Sequence, residues 1–263
     1  MSLIEEAKQF VADNIRAGFH DPRLAKIEAL KLHEVLTRKN PYLFKAKNLI
    51  NAEDLVKSLV DAHLSSQEET VFGGFLEQVA IFCSSRAVGG RKSGIDGVDL
   101  EFERDGVLHL VNIKSGPNWH NKSSLQKLRE DFIRARKTLL SNAKPRPVRF
   151  LNGCCYGRVH TNYGDFEKIC GETFWTLISG EPRLFVELVE PLGFEAKRHN
   201  DAFEQKYAQV RTGFTKHFID QFCNPTDFSI NWEKIVRMNS GTPLPKVAKL
   251  AKLKKSKPQK VVK

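Results

Sequence analysis

No stretch of the 263 residues approaches the run of about 20 apolar residues that a membrane-spanning helix needs. Residues 1–16 are amphipathic and carry Glu5, Glu6 and Asp13, with neither the apolar h-region nor the small-residue cleavage site of a signal peptide. The expectation is a cytoplasmic protein. Cysteine is sparse: Cys83, Cys154, Cys155, Cys170 and Cys223 are odd in number and contain no CxxC pair. That indicates neither a disulfide framework nor a zinc site, so the cysteines read as small buried hydrophobes. Cys154 and Cys155 are adjacent and would point to opposite faces of a strand. No internal repeat is present.

Acidic residues are missing altogether from residues 241–263, where eight lysines stand at 246, 249, 252, 254, 255, 257, 260 and 263. Removing these from the net charge of +11 leaves the first 240 residues at about +3. A basic surplus suits a polyanion such as nucleic acid. Here it argues for a sticky tail, either holding DNA non-specifically or simply solvated and disordered, and says little about the body.

What is present reads as helices around a short β-rich centre. Apolar residues recur at helical spacing in Leu3–Ile15 and 24–36. Asp21-Pro22 is a helix start, and Asn40-Pro41 ends that helix. Residues 52–63 and 69–83 read as two further helices, the second carrying Phe72, Phe75, Leu76, Val79 and Ile81. A glycine- and lysine-containing loop follows at 89–94. Strands are expected at 98–103, 107–113 and 148–151, the last ending in Asn152-Gly153. An amphipathic helix at 123–141 carries Leu125, Leu128, Phe132, Ala135 and Leu139 on one face. From Asp165 the period of Phe166, Ile169, Cys170, Phe174 and Ile178 is helical, and a long helix is expected at about 195–222.

Asp105-Gly106 between two short apolar runs is a hairpin signal. As a two-residue loop it pairs Arg104 with Val107 and sets Asp99 opposite Asn112. Asp99, Glu101 and Glu103 then share a face with Leu108, Leu110, Asn112 and Lys114, while Ile113 points into the core. A longer loop would slip this register. Mixed charges on a strand are usually a solvated face. Yet an acid, an amide and a lysine gathered together suit phosphodiester hydrolysis. A carboxylate can hold Mg²⁺ beside the phosphate. Lys114 can orient or deprotonate the attacking water, or stabilise the growing negative charge. Asn112 can offer a neutral oxygen ligand or hold a metal-bound water.

The run "GVDLEFERDGVLHLVNIKSGPNW" resembles the core of the PD-(D/E)XK nuclease superfamily. From "NPYLFKAKN" through "IKSGPNWHN" to "NGCCYG", over about residues 40–235, the chain is similar to type II restriction endonucleases that recognise GGNCC-centred sites. The resemblance implies an α/β fold: a restriction-endonuclease-like core of a mixed sheet flanked by helices, with large helical N- and C-terminal parts. The corresponding division is a helical region at 1–68, the nuclease core at 69–160, a second helical region at 161–240 and the lysine tail at 241–263. Asp99 matches the motif aspartate and Lys114 the motif lysine. Asn112 stands where the family normally has Glu, Asp or Gln, so one negative ligand is missing. Either Asn112 coordinates through its amide oxygen, or Glu77 reaches the site from the preceding helix; Glu101 is a third candidate. The expected metal set is thus Asp99, Asn112 and Glu77 around Mg²⁺, with Mn²⁺ as a substitute.

Ser115, Asn118, Trp119 and Asn121 follow the catalytic strand and are candidates for DNA contact. Guanine is most often read by Arg or Lys, which brings in Arg91, Lys92, Lys122 and Arg158. The implied function is Mg²⁺-dependent, sequence-specific hydrolysis of double-stranded DNA to 5′-phosphate ends. It implies a homodimer, since two sites cut two strands, and a cognate methyltransferase protecting the host. The alternatives are a less specific repair or defence nuclease, and a non-cleaving DNA-binding protein with a degenerate core, which the Asn112 departure favours.

Overall fold

The computed structural model describes residues 1–142 and 147–241, the side chains of 140–142 excepted. The lysines from 246 onward lie outside the described residues. Helix α1 is Leu3–Ile15, opened by a capping box between Ser2 and Glu5. The chain then passes through a wider, π-type turn at Arg16–His20 directly into α2, Asp21–Glu28. Asp21 therefore does not cap a new helix; its carboxylate pairs with Arg16 instead. The single helix expected over 24–36 is two, α2 and α3, Leu32–Arg38. Asn40 caps the short α4, Pro41–Ala46, with proline in its first turn.

The break expected between residues 63 and 69 does not occur. Ala52–Val88 is one helix, α5, of 37 residues and about 55 Å. Its polar middle looks like a linker in sequence, yet the hydroxyls of Ser66 and Thr70 are satisfied within the helix, on the carbonyls of Ala62 and Ser66. The helix ends at Gly89, whose φ of 67° closes it in the left-handed conformation.

Strands β1 (Arg91–Lys92), β2 (Leu100–Arg104), β3 (Val107–Lys114), β4 (Val148–Cys154), β5 (Thr161–Asn162) and β6 (Glu167–Cys170) form one mixed sheet in the order β1-β2-β3-β4-β6-β5. The β2–β3 hairpin has the expected register, Arg104 opposite Val107 and Leu100 opposite Val111. Strand β4 runs parallel to β3 and continues past the expected stop at Asn152-Gly153. Gly153 stays in the strand because the Phe174 ring covers it: a Cβ there would lie 2.3 Å from that ring.

Helix α6, Lys122–Asn142, buries Leu128, Phe132 and Ala135 against Leu108, Leu110 and Phe150 on one face of the sheet. On the other face α1, the second half of α5 and α7, Gly171–Ser179, cover Leu100, Phe102, Val111, Ile113 and Leu151. The helix expected from Asp165 is thus strand β6 followed at once by α7. Its apparent helical face divides: Phe166 enters the α6 core, while Ile169, Phe174 and Ile178 enter the α5 core. Gly171, with φ 54°, makes the abrupt strand-to-helix junction.

Short helices α8 (Leu184–Glu187) and α9 (Val189–Leu192) lead to α10, Ala196–Phe222, and α11, Trp232–Ser240. The last two pack on α2–α4 and the first half of α5 around Phe44, Leu55, Leu59, Phe203 and Phe218. Helix α5 therefore belongs to both halves of the molecule, and residues 68 and 69 are consecutive within it. All five cysteines are buried and unpaired by disulfides; burial pushes the Cys83 thiol up to about 12. No helix among the described residues is long and apolar enough to cross a membrane.

Candidate active site

Side chains on β3 alternate between two cores. Leu110 lies on the α6 side, and Asn112 and Lys114 follow it on that face, while Val111 and Ile113 face α5. Asp99 lies just before β2, and its N–H donates to the Val111 carbonyl at 2.9 Å, which extends the ladder by one residue. Its Oδ2 accepts from the Ile113 N–H at 2.6 Å and from Asn112 Nδ2 at 3.0 Å. Asp99 and Asn112 therefore meet across the hairpin as their register requires.

The polarity of Asn112 is fixed by its partners. Its Nδ2 also donates to the Gly97 carbonyl at 3.2 Å. A carbonyl and a carboxylate can only accept, so the amide nitrogen must face them. The amide oxygen then faces Asn152, whose Nδ2 stands 3.4 Å away. Gly97, with φ 81°, turns the chain so that its carbonyl reaches Asn112, and a Cβ there would strike the Asp131 side chain.

Glu77 comes from α5 and is partly buried, with 28% of its side chain exposed. Burial pushes its carboxyl above the usual carboxylate range, and the charge of Asp99 pushes it the same way; Lys92 and Lys114 oppose this. Asp99 is also raised, since burial outweighs the hydrogen bond from Ile113 and the charges of Lys114 and Lys92. Two partly buried carboxylates, each raised by burial and Glu77 also by the charge of Asp99, offer oxygen donors that fit a hard divalent cation better than a soft one. Mg²⁺ in particular is commonly held by one or two carboxylates together with substrate phosphate. Among the described residues no group of three or more His, Cys, Asp or Glu converges as a metal cage.

Lys114 ends β3. Its ammonium lies 5.7 Å from the centre of the Trp119 ring and makes no ion pair among the described residues. It faces a cleft of about 580 Å³ between α5 and the loop after β3. Ser115, Asn118 and Trp119 line the same cleft, opposite Ser66, Glu69 and Thr70 of α5. Helical spacing puts Glu69, Gly73 and Glu77 on one face. Gly73 lets the strand end come close: a Cβ there would be 3.4 Å from that of Ser115.

The "IKSGPNW" and "NGCCYG" segments pack on one another. Cys155 N–H donates to the Lys114 carbonyl and Tyr156 N–H to that of Ser115. The Tyr156 ring occupies the space a Gly116 side chain would need, and buried Lys168 donates to the Pro117 carbonyl at 2.6 Å.

The other expected residues divide. Trp119 is partly buried, and its Nε1 donates to Asn152 Oδ1 at 2.9 Å. Asn121 caps α6, its Oδ1 accepting from Ser124 N–H at 2.9 Å, and neighbouring Lys122 is exposed. Arg91 pairs with Glu101, which also accepts from Ser93, so Glu101 is committed to the β1–β2 edge. Lys92 stands 3.8 Å from Glu77, beside the carboxylates. Sequence reasoning missed Glu69 and Asn152. The Glu69–Gly73–Glu77 spacing signals the first; the in-register pairing of "VNIK" with "LNGC" signals the second.

A mixed sheet clasped by helices, a carboxylate hydrogen-bonded at the mouth of the β2–β3 hairpin and a lysine at the end of β3 define a nuclease core of the restriction-endonuclease type. The chain belongs to one family within that class: residues 5–200 match the family model described as Type II restriction endonuclease EcoO109I. It is therefore a site-specific deoxyribonuclease, a hydrolase whose substrate is DNA. A comparison with curated proteins returns no match.

Proposed function

We propose that the chain is a Mg²⁺-dependent type II restriction endonuclease that hydrolyses double-stranded DNA at a GGNCC-like site and leaves 5′-phosphate ends. The observation that carries this reading is geometric: Asp99, held by the Ile113 and Asn112 N–H groups, meets Asn112 across the β2–β3 hairpin, and Lys114, without an ion pair among the described residues, ends the same strand at the cleft.

In this reading Asp99 and Glu77 hold the metal, with Mn²⁺ able to replace Mg²⁺. When bound, the cation supplies positive charge to the scissile phosphate and its developing oxyanion. Asn112 acts through Asp99: its amide N–H group and the Ile113 N–H hold the carboxylate in one orientation and stabilise its ionised form. An Asn112 amide oxygen turned to Asn152 favours Glu77 as the second ligand. Lys114, without an acidic ion-pair partner among the described residues, orients the attacking water or balances charge as it grows on the phosphate.

The DNA backbone would run along the cleft, with Ser115, Asn118 and Trp119 on one wall and the exposed Lys122 at the start of α6 as a further candidate for phosphate contact. Arg91 and Lys92, exposed on the edge strand beside Glu101 and Glu77, are further candidates for DNA contact. Asn121 holds the start of α6 and so shapes that wall. Most such polar contacts go to phosphate and sugar. Cutting both strands of a near-palindromic site requires two such centres, hence a homodimer. Survival of the host requires a cognate methyltransferase, and both would act in the cytoplasm.

Digestion of phage DNA in Mg²⁺, followed by sequencing of the fragment ends, tests the reading. Discrete fragments with a shared GGNCC-like end and 5′-phosphates are expected. A smear would indicate the less specific nuclease. Binding without cleavage in Mg²⁺ or Mn²⁺ would favour the second reading, a non-cleaving DNA-binding protein, whose support is that Asn112 brings no negative charge to the site.

A further inference from the structure

Asn152 is completely buried on β4, directly paired with Asn112 of β3. Its Nδ2 donates to the Asn112 backbone carbonyl at 3.2 Å and stands 3.4 Å from Asn112 Oδ1. Its Oδ1 accepts from Trp119 Nε1 at 2.9 Å, with the Cys154 thiol at 3.6 Å. Every direction in this arrangement is forced. The indole N–H can only donate, so the Asn152 oxygen must face Trp119; the Asn112 backbone carbonyl can only accept, so the Asn152 nitrogen must face it. The same logic turns the Asn112 amide nitrogen toward Asp99. One continuous chain of hydrogen bonds thus runs from Trp119 through Asn152 and Asn112 to Oδ2 of Asp99.

We propose that Asn152 is the positioning residue of the metal site, holding Asn112 so that its amide donates to Asp99, and that it ties the orientation of this carboxylate to the place of Trp119 in the loop after β3. The proposal rests on the reading of Asp99 as a metal ligand. Two features give the link its purpose. Trp119 lines the cleft and also lies over Lys114, so one indole is joined to both the lysine and the carboxylate. Asn152 has no exposed surface, so its polar groups would be left unsatisfied if either neighbour moved away. A shift of the loop, as when a duplex seats in the cleft, is therefore transmitted to Asp99.

Mn²⁺ binding to the full-length protein without DNA, followed by the loss of the free-ion paramagnetic signal, tests this directly. Partners that orient a metal ligand typically change affinity by about 10–100-fold. Asn152→Ala is expected to weaken binding toward the lower end of that range. Trp119→Phe, which keeps an aromatic ring but loses the N–H and part of the ring volume, is expected to weaken it less. The double variant should bind like Asn152→Ala alone, and Trp119→Phe should have no effect in an Asn112→Ala background. This last comparison carries the test if Asn152→Ala does not fold. In cleavage assays Asn152→Ala should raise the Mg²⁺ concentration for half-maximal rate by more than it lowers the maximal rate. Unchanged Mn²⁺ affinity in folded variants, or effects that simply multiply, would overturn the proposal while leaving the nuclease reading intact. A wild-type protein that binds no Mn²⁺ would overturn both.

Discussion

Asn112 departs from the PD-(D/E)XK pattern that the sequence resembles, and its surroundings suit an amide. It donates to Asp99 and to the Gly97 carbonyl and is approached on its oxygen side by Asn152. A carboxylate in the same place would set negative charge against Asp99 and lose both donated hydrogen bonds. Asn112→Asp is therefore expected to destabilise the fold by about 1–3 kcal/mol, the cost of leaving buried polar groups unsatisfied, as measured by denaturant unfolding. If the variant were equally stable and bound Mn²⁺ more tightly, position 112 would be a direct ligand after all. In the proposed site Glu77 is the second acidic ligand. Glu77→Gln is expected to weaken Mn²⁺ binding with little change in stability; wild-type affinity in that variant would remove Glu77 from the site.

Helix α5 shows how an element positions a site. It brings Glu69, Gly73 and Glu77 along one face to the end of β3. Gly73 is a poor helix former, yet it sits where Ser115 approaches. Gly73→Ala should stabilise the helix by about 1 kcal/mol and leave cleavage little changed, because its Cβ just fits. Gly73→Leu should push Ser115 and Lys114 away and slow cleavage markedly in a protein that still melts cooperatively. Wild-type rates in Gly73→Leu would mean that this approach does not position the lysine. The same elements show what can be read from a sequence. The hairpin register follows from a two-residue Asp105-Gly106 turn, a local rule, and it holds. The joining of 52–63 with 69–83 does not follow from a hydrophobic period, because Ser66 and Thr70 resemble a break until their hydroxyls are seen bonded to their own helix. Strand β6 passes for helix because Phe166 and Ile169 serve different cores, which no single-face pattern distinguishes. Asn152 is hidden for a similar reason: its meaning depends on a pairing with Asn112 forty residues away in the chain.

At the scale of the molecule, α5 connects two apolar cores, one around the sheet and one among α2–α4, α10 and α11. The helical part can thus brace the carboxylate-bearing half of α5. The body carries only a small share of the net charge, and most of the surplus lies in the lysine tail. Removing residues 245–263 should weaken non-specific DNA binding and flatten its dependence on salt, since fewer counterions are released. An unchanged slope of affinity against salt would show that the tail makes no phosphate contacts. The central claim, that this is a metal-dependent nuclease working through Lys114 beside Asp99 and Glu77, is tested most directly by comparing the wild type with Lys114→Ala on one defined plasmid in Mg²⁺. The wild type should give discrete fragments, and the variant should cut on the order of 10²–10⁴-fold more slowly while binding the same DNA nearly as tightly. Equal rates for the two proteins would contradict the account.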